Sequence, residues 1–207
     1  ELTFNQKYKS ISNFYPEGTI VSTGISKWCG AGGWRLGFFA IPNELNELRE
    51  AIKALCSESF SSVSAPIQYA AIEAYTGNHL SYLENVRKIL FFVGTYVCEN
   101  LKSNVVNILK PEGGFYLFPE FINTKFLTSS EMCKNILNNT GVALLPGSDF
   151  GLDKKKMIAR LSYTDFNGDA FLKNISGSKN LDNVDLKKYA PNIVDGVNKL
   201  KEWSNSL

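Results

Sequence analysis

The chain has 207 residues and a mass of 23.0 kDa, and its 44% hydrophobic and 13% aromatic content suits one domain or a little more with a packed core, not a disordered tail. Its 22 basic and 20 acidic residues are interleaved to a net charge of +2, which argues against a nucleic-acid partner. The four cysteines, Cys29, Cys56, Cys98 and Cys133, lack the spacing of metal or redox pairs and read as reduced thiols of a cytoplasmic protein, and the longest apolar run, residues 89–97, is too short for a membrane span.

In chain order, the β-branched residues 19–22 predict a strand feeding a glycine-rich loop. Residues 36–41 form a continuous apolar run of the kind buried in a parallel sheet. Pro42 and Asn43 stop that strand and cap a helix whose predicted buried face is Leu45, Leu48, Ile52 and Leu55. Five serines make residues 57–66 a polar loop, and Pro66 opens a helix facing inward through Ile67, Ala70, Ala71 and Ala74 and closed by Gly77. His79, the only histidine, suits a surface or capping role. A long helix is predicted from about residue 80 to 101, with Leu83, Val86, Leu90, Val93 and Val97 as its buried stripe.

Further on, residues 105–109 and 114–119 read as strands flanking the turn signal Pro111-Glu112-Gly113. Thr128 and Glu131 form a capping box ahead of a helix ending near Gly141. Residues 142–145 and 157–163 predict two short strands, residues 167–189 mostly loop. Pro191 starts a final helix with Ile193, Val194, Val197, Leu200 and Trp203 on its inner side.

The chemistry concentrates in residues 22–37, where Lys27 and Arg35 stand eight residues apart with Gly30, Gly32 and Gly33 between them and Gly37 just beyond. A lysine in such a loop can attack a carbonyl as its neutral amine when desolvation or a nearby cation lowers its pKa. An arginine can supply that cation and also grip a phosphate by a planar two-pronged contact. Glycines let backbone approach a flat ligand closely.

Ser26-Lys27, the eight-residue step, Gly33-Trp34-Arg35 and Gly37 together resemble the pyridoxal-phosphate lysine signature of the class I and II aminotransferases, the fold-type I enzymes. Three later stretches are similar to the same family: Pro111 to Tyr116, a small-domain strand; Leu145 to Gly151, its Pro-Gly-Ser-x-Phe-Gly turn; and Met157 to Ser162, its Arg-x-Ser strand. The resemblance implies an α/β fold: the end of a large-domain parallel sheet over residues 1–80 and an α+β small C-terminal domain over residues 81–207. It implies pyridoxal 5'-phosphate as cofactor and Lys27 as its Schiff-base lysine. Arg35, Ser26 and Ser22 would be further cofactor contacts, and Arg160 the grip on the substrate carboxylate, with no metal.

The implied reaction moves an amino group from an amino acid to a 2-oxo acid in a cytoplasmic homodimer without nucleic-acid or membrane partners. A lyase or decarboxylase of the same fold, or a catalytically inactive fragment, is the alternative. In the family an Asp-x-x-Tyr strand segment precedes residues like Glu1-Leu2-Thr3-Phe4, so the sequence reads as a C-terminal portion of a longer enzyme. It departs from the family at Gly24, where a phosphate-touching serine is usual; Ser22 or Thr23 is expected to compensate. No arginine lies in residues 57–66 to read a second carboxylate, so the amino acid used stays open.

Overall fold

The computed structural model of the protein describes residues 2–4, 8–60, 62–122, 124–175, 181 and 184–207. The chain divides into two compact units, Lys7–Leu83 and, together with Leu2–Gln6, Glu84–Leu207.

The first unit is organised by a hairpin of β1 (Val21–Gly24) and β2 (Gly37–Ala40), paired antiparallel with Ser22 opposite Phe39 and Gly24 opposite Gly37. A Cβ at Gly37 would stand 2.9 Å from the Thr23 carbonyl oxygen, so the base of the loop needs glycine for backbone to touch backbone. Sequence alone put residues 36–41 in a buried parallel sheet. The structure instead pairs β2 antiparallel and leaves all four of its residues exposed, Phe39 at 59%. An apolar run specifies an extended conformation but not its partner, and the connection between the strands doubles back with no crossover helix.

Helix α1 (Asn46–Ser59) buries no residue. Leu48 and Leu55, expected inside, are exposed, and the half-buried face is Leu45, Arg49, Ile52 and Cys56. The long stem of Arg49 and the small Cys56 occupy the places that a count of leucines assigns elsewhere. The helix also runs over Ser57–Ser59, where a loop was expected; the Ser59 hydroxyl donates to the Leu55 carbonyl at 2.7 Å and so satisfies an end-of-helix acceptor. Helix α2 (Ala65–Thr76) follows its pattern, with Ala71 buried and Ile67, Ala70 and Ala74 half-buried.

Helix α3 (Leu80–Leu101) starts with the Asn78 side chain accepting from the Leu80 N–H at 3.3 Å. It carries the stripe Ile89, Leu90, Val93, Val97 and Leu101 into the second unit's core, where it meets Leu117, Ile136, Leu161, Tyr163, Leu200 and Trp203. There β4 (Tyr116–Leu117), β6 (Leu145–Pro146) and β7 (Ala159–Ser162) form a three-stranded antiparallel sheet with β7 central. Strand β3 (Val106–Asn107) pairs with β5 (Glu120–Phe121), so the Pro111-Glu112-Gly113 turn does not close a simple hairpin between its flanking strands. That turn instead accepts the N-terminal segment: the Phe4 N–H donates to Glu112 O at 2.9 Å, and the Gly114 N–H to Leu2 O at 2.7 Å.

Helix α4 (Ser129–Thr140) begins as its capping box predicts: Thr128 Oγ1 accepts from the Glu131 N–H at 3.2 Å, while Glu131 Oε2 accepts from the Leu127 N–H at 3.1 Å. It ends at Gly141, whose φ of 73° is the left-handed turn a glycine cap supplies. The expected loop of residues 167–189 instead contains α5 (Gly168–Ile175), capped by Asn167, and the short α6 (Leu186–Tyr189); residues 176–180 and 182–183 lie outside the described set. Phe171 and Ile175, one turn apart and both buried, are the helical signal hidden by the polar composition. Helix α7 (Pro191–Asn205) closes the core through Ile193, Val197, Leu200 and Trp203, and the Trp203 indole N–H donates to Asn135 Oδ1 at 2.9 Å. No helix among the described residues is long and apolar enough to cross a membrane.

Candidate active site

Lys27 lies on the loop between β1 and β2, three residues past Gly24. Its neighbours fix the loop: Ile25 is 1% exposed and Trp28 7%, so two apolar anchors bracket the lysine while Lys27 itself stays at the surface. The Trp28 ring packs against Tyr75 of α2 with centroids 5.5 Å apart. Backbone bonds tighten the turn: the Gly30 N–H donates to Lys27 O at 3.3 Å, and the Ala31 N–H to Ile25 O at 3.2 Å. Trp34, by contrast, is half-exposed.

Arg35 closes the loop with φ 55° and ψ 45°, a left-handed conformation uncommon outside glycine. Its Nη1 donates to the Gly32 carbonyl at 2.8 Å, which turns the side chain back over the glycines. Among the described residues no carboxylate pairs with it. Ser26, half-buried, precedes the lysine, and Ser22 is exposed on β1. Alternation along the strand puts Ser22 on the same face as Gly24 and Thr23 on the other. The Thr23 hydroxyl lies 3.3 Å from the Tyr75 hydroxyl, so of the two candidates to replace the missing serine, Ser22 is the one on Gly24's side.

This donor set — a primary amine, a guanidinium and two hydroxyls on one hairpin — fits a ligand carrying a carbonyl and a phosphate. The mostly apolar recess of about 680 Å³ near the loop is lined by Ile25, Trp28, Trp34, Ala70, Ala74 and Tyr82, with Glu73 and His79 also on its wall, and includes neither Lys27 nor Arg35.

Arg160 is half-buried on β7 in the second unit. Its guanidinium carbon lies 4.3 Å from the Tyr116 ring centre and 4.4 Å from that of Phe150. Among the described residues no carboxylate pairs with it. Burying a charge without a partner is costly, and two aromatic faces offset only part of that. The arrangement suits an arginine that meets its anion from outside the protein.

Sequence reasoning missed the aromatic pair around Arg160, although both rings belong to motifs it singled out. The missing information was strand register: Tyr116 stands opposite Ser162 and thus diagonal to Arg160 on the same face. It also missed Tyr75, which touches Thr23, Trp28 and Phe38. Tyr75 lies one turn after the buried Ala71 on the packed face of α2, and no motif marks it.

A family profile described as aminotransferase class I and II matches residues 3–172. Among curated relatives, the chain is 35% identical over 153 residues to "Probable N-acetyl-LL-diaminopimelate aminotransferase" of Bacillus subtilis, covering 72% of this chain and 37% of that protein. It is 33% identical over 165 residues to an aspartate aminotransferase of Geobacillus stearothermophilus, covering 76% of this chain and 40% of that one. The solved alanine aminotransferase from Pyrococcus furiosus superimposes with a TM-score of 0.76 at 26% identity, over 100% of this chain and 47% of its own. The chain thus spans less than half the length of these relatives. With the fold, the lysine loop and the Arg160 strand inside the matched region, the chain belongs to the class I and II aminotransferase family.

Proposed function

We propose that this chain carries the cofactor lysine and substrate arginine of a pyridoxal-phosphate-dependent aminotransferase, which moves an amino group from an amino acid to a 2-oxo acid. The observation that carries the reading is the β1–β2 hairpin, which presents Lys27 and Arg35 on one loop, with no carboxylate among the described residues on the arginine. Lys27 Nζ would hold the cofactor covalently, and its amine would carry a proton to and from the substrate α-carbon. Arg35 anchors the phosphate by its outward N–H groups, with Ser26 and Ser22 as supporting hydroxyls. Arg160 binds the substrate carboxylate and so orients the bond to be broken. When bound, pyridoxal 5'-phosphate supplies the electron sink for the reaction.

In this reading residues 1–80 are part of the cofactor-binding large domain and residues 81–207 the small domain. The names of the relatives favour transfer over a lyase or decarboxylase reaction. A cytoplasmic homodimer completes the proposal; four cysteines without a disulfide suit a reducing compartment. The test is a pair of titrations followed by visible absorbance, one with pyridoxal 5'-phosphate and one with pyridoxal. Lys27→Ala should abolish the signal with both, while Arg35→Ala should weaken binding of the phosphorylated form alone. Equal loss with both ligands in Arg35→Ala would remove the phosphate role.

A further inference from the structure

We propose that Tyr116 and Phe150 are positioning residues that hold the Arg160 guanidinium so that its N–H edge faces an incoming carboxylate; this rests on the reading of Arg160 as the carboxylate grip. An aromatic ring attracts the face of a guanidinium through its quadrupole and cannot accept the paired in-plane hydrogen bonds that a carboxylate takes. The guanidinium carbon lies over one ring at 4.3 Å from its centre and over another at 4.4 Å, and stacking of the guanidinium faces on them would leave the in-plane donors for a planar anion. Such restraint lowers the conformational freedom that a long side chain otherwise loses on binding.

Both rings are themselves fixed by the fold. Tyr116 is held by the β4–β7 register, which sets it diagonal to Arg160 on one face of the sheet. Phe150 ends the turn Gly147–Phe150, and that turn is tied to the strand region before Arg160 by the Gly147 N–H donating to Ile158 O at 2.7 Å. A Cβ on Gly147 would stand 2.9 Å from that same oxygen, so the turn approaches as closely as backbone allows. Phe118, two residues past Tyr116 and hence on its face of the chain, meets Phe150 edge to face at 5.8 Å and backs it. Two separate segments, each anchored to the strand that bears the arginine, thus converge on one side chain.

The experiment follows the side-chain Nε–Hε resonances of the full chain by NMR with ¹⁵N-arginine; the sequence has four arginines, and Arg160→Lys assigns the resonance of interest. The probe is L-alanine, with L-alaninamide, which lacks the carboxylate, as control. In the unmodified protein the Arg160 signal should shift with L-alanine and not with the amide. Tyr116→Leu and Phe150→Leu should each raise the apparent Kd for L-alanine about fivefold, the scale of one lost cation–π contact. Tyr116→Phe and Phe150→Tyr, which keep the rings, should retain the parent affinity. Leucine variants that melt like the parent and bind L-alanine equally well would overturn the positioning role while leaving Arg160 as the grip. So would ring-keeping variants that bind as poorly as the leucine ones. An Arg160 signal that ignores L-alanine in the unmodified protein would remove the grip itself, and the inference with it.

Discussion

At Gly94, α3 packs closely on Tyr163, the residue just past β7, and Gly94→Ala measures how rigid that contact is. A helix-interior glycine replaced by alanine ordinarily gains roughly 0.5–1 kcal/mol, because the unfolded chain has less freedom to lose. Here the new Cβ would sit 2.8 Å from Tyr163 Cζ, 2.9 Å from the Tyr163 hydroxyl oxygen and 2.9 Å from Pro111 Cγ. Carbon atoms prefer about 3.5–4.0 Å, so a shift of roughly 0.7 Å is required. Tyr163 has little room to give: it is 0% exposed, and its hydroxyl donates to Gly114 O at 3.0 Å. Overpacking of this kind costs about 1–3 kcal/mol, which outweighs the propensity gain and leaves a net loss of about 1 kcal/mol. Urea denaturation should show that loss, and a thermal scan should show a fall of about 4 °C in Tm. A rise in stability would mean that Tyr163 and Pro111 yield freely, and the tight packing of α3 on the strand bearing Arg160 would be refuted.

Burial pushes the Tyr163 phenol above its ordinary value, so the folded state holds this proton more tightly than the unfolded one. The associated stability is complete below the unfolded pKa of about 10 and is lost as pH rises beyond it; Tyr163→Phe should flatten the decline in urea midpoint on that alkaline side. Burial, with Asp149 nearby, pushes the Cys133 thiol up to about 11, so at mildly alkaline pH iodoacetamide should modify the half-buried Cys29 and Cys56 well before Cys133 or the buried Cys98, as read by peptide mass; early labelling of Cys133 would contradict its packing. Thr128→Ala should cost about 1 kcal/mol through loss of the α4 cap, and Thr128→Ser should restore most of it in the same denaturation assay.

The elements whose signals are local were legible in the sequence. Thr128 and Glu131 marked the start of α4 because a cap is a contact between near neighbours, and the three- and four-residue spacing from Leu90 to Val97 marked α3 because one face is buried along most of its length. Partner choice was not legible. The run at residues 36–41 gave a strand but neither its antiparallel direction nor its exposure, and the turn at Pro111 gave a reversal but not the pairing of β4 with β7. Helix α5 went unseen because two buried residues on a polar segment make too weak a period. At the candidate site, Lys27, Arg35 and Arg160 were all chosen by residue type and spacing. The loop's anchors, Ile25 and Trp28, and the rings around Arg160 required the third dimension, since they depend on which surfaces meet.

Lys27 as the residue that bonds the cofactor is tested most directly by chemistry that makes the bond permanent. The full chain is incubated with pyridoxal 5'-phosphate, reduced with borohydride, digested and mapped by mass. The hairpin loop predicts one dominant label, on Lys27, and far less label when Arg35→Ala removes the phosphate anchor. A dominant label on Lys53 or Lys110, each ion-paired with a glutamate at an exposed position, would contradict it.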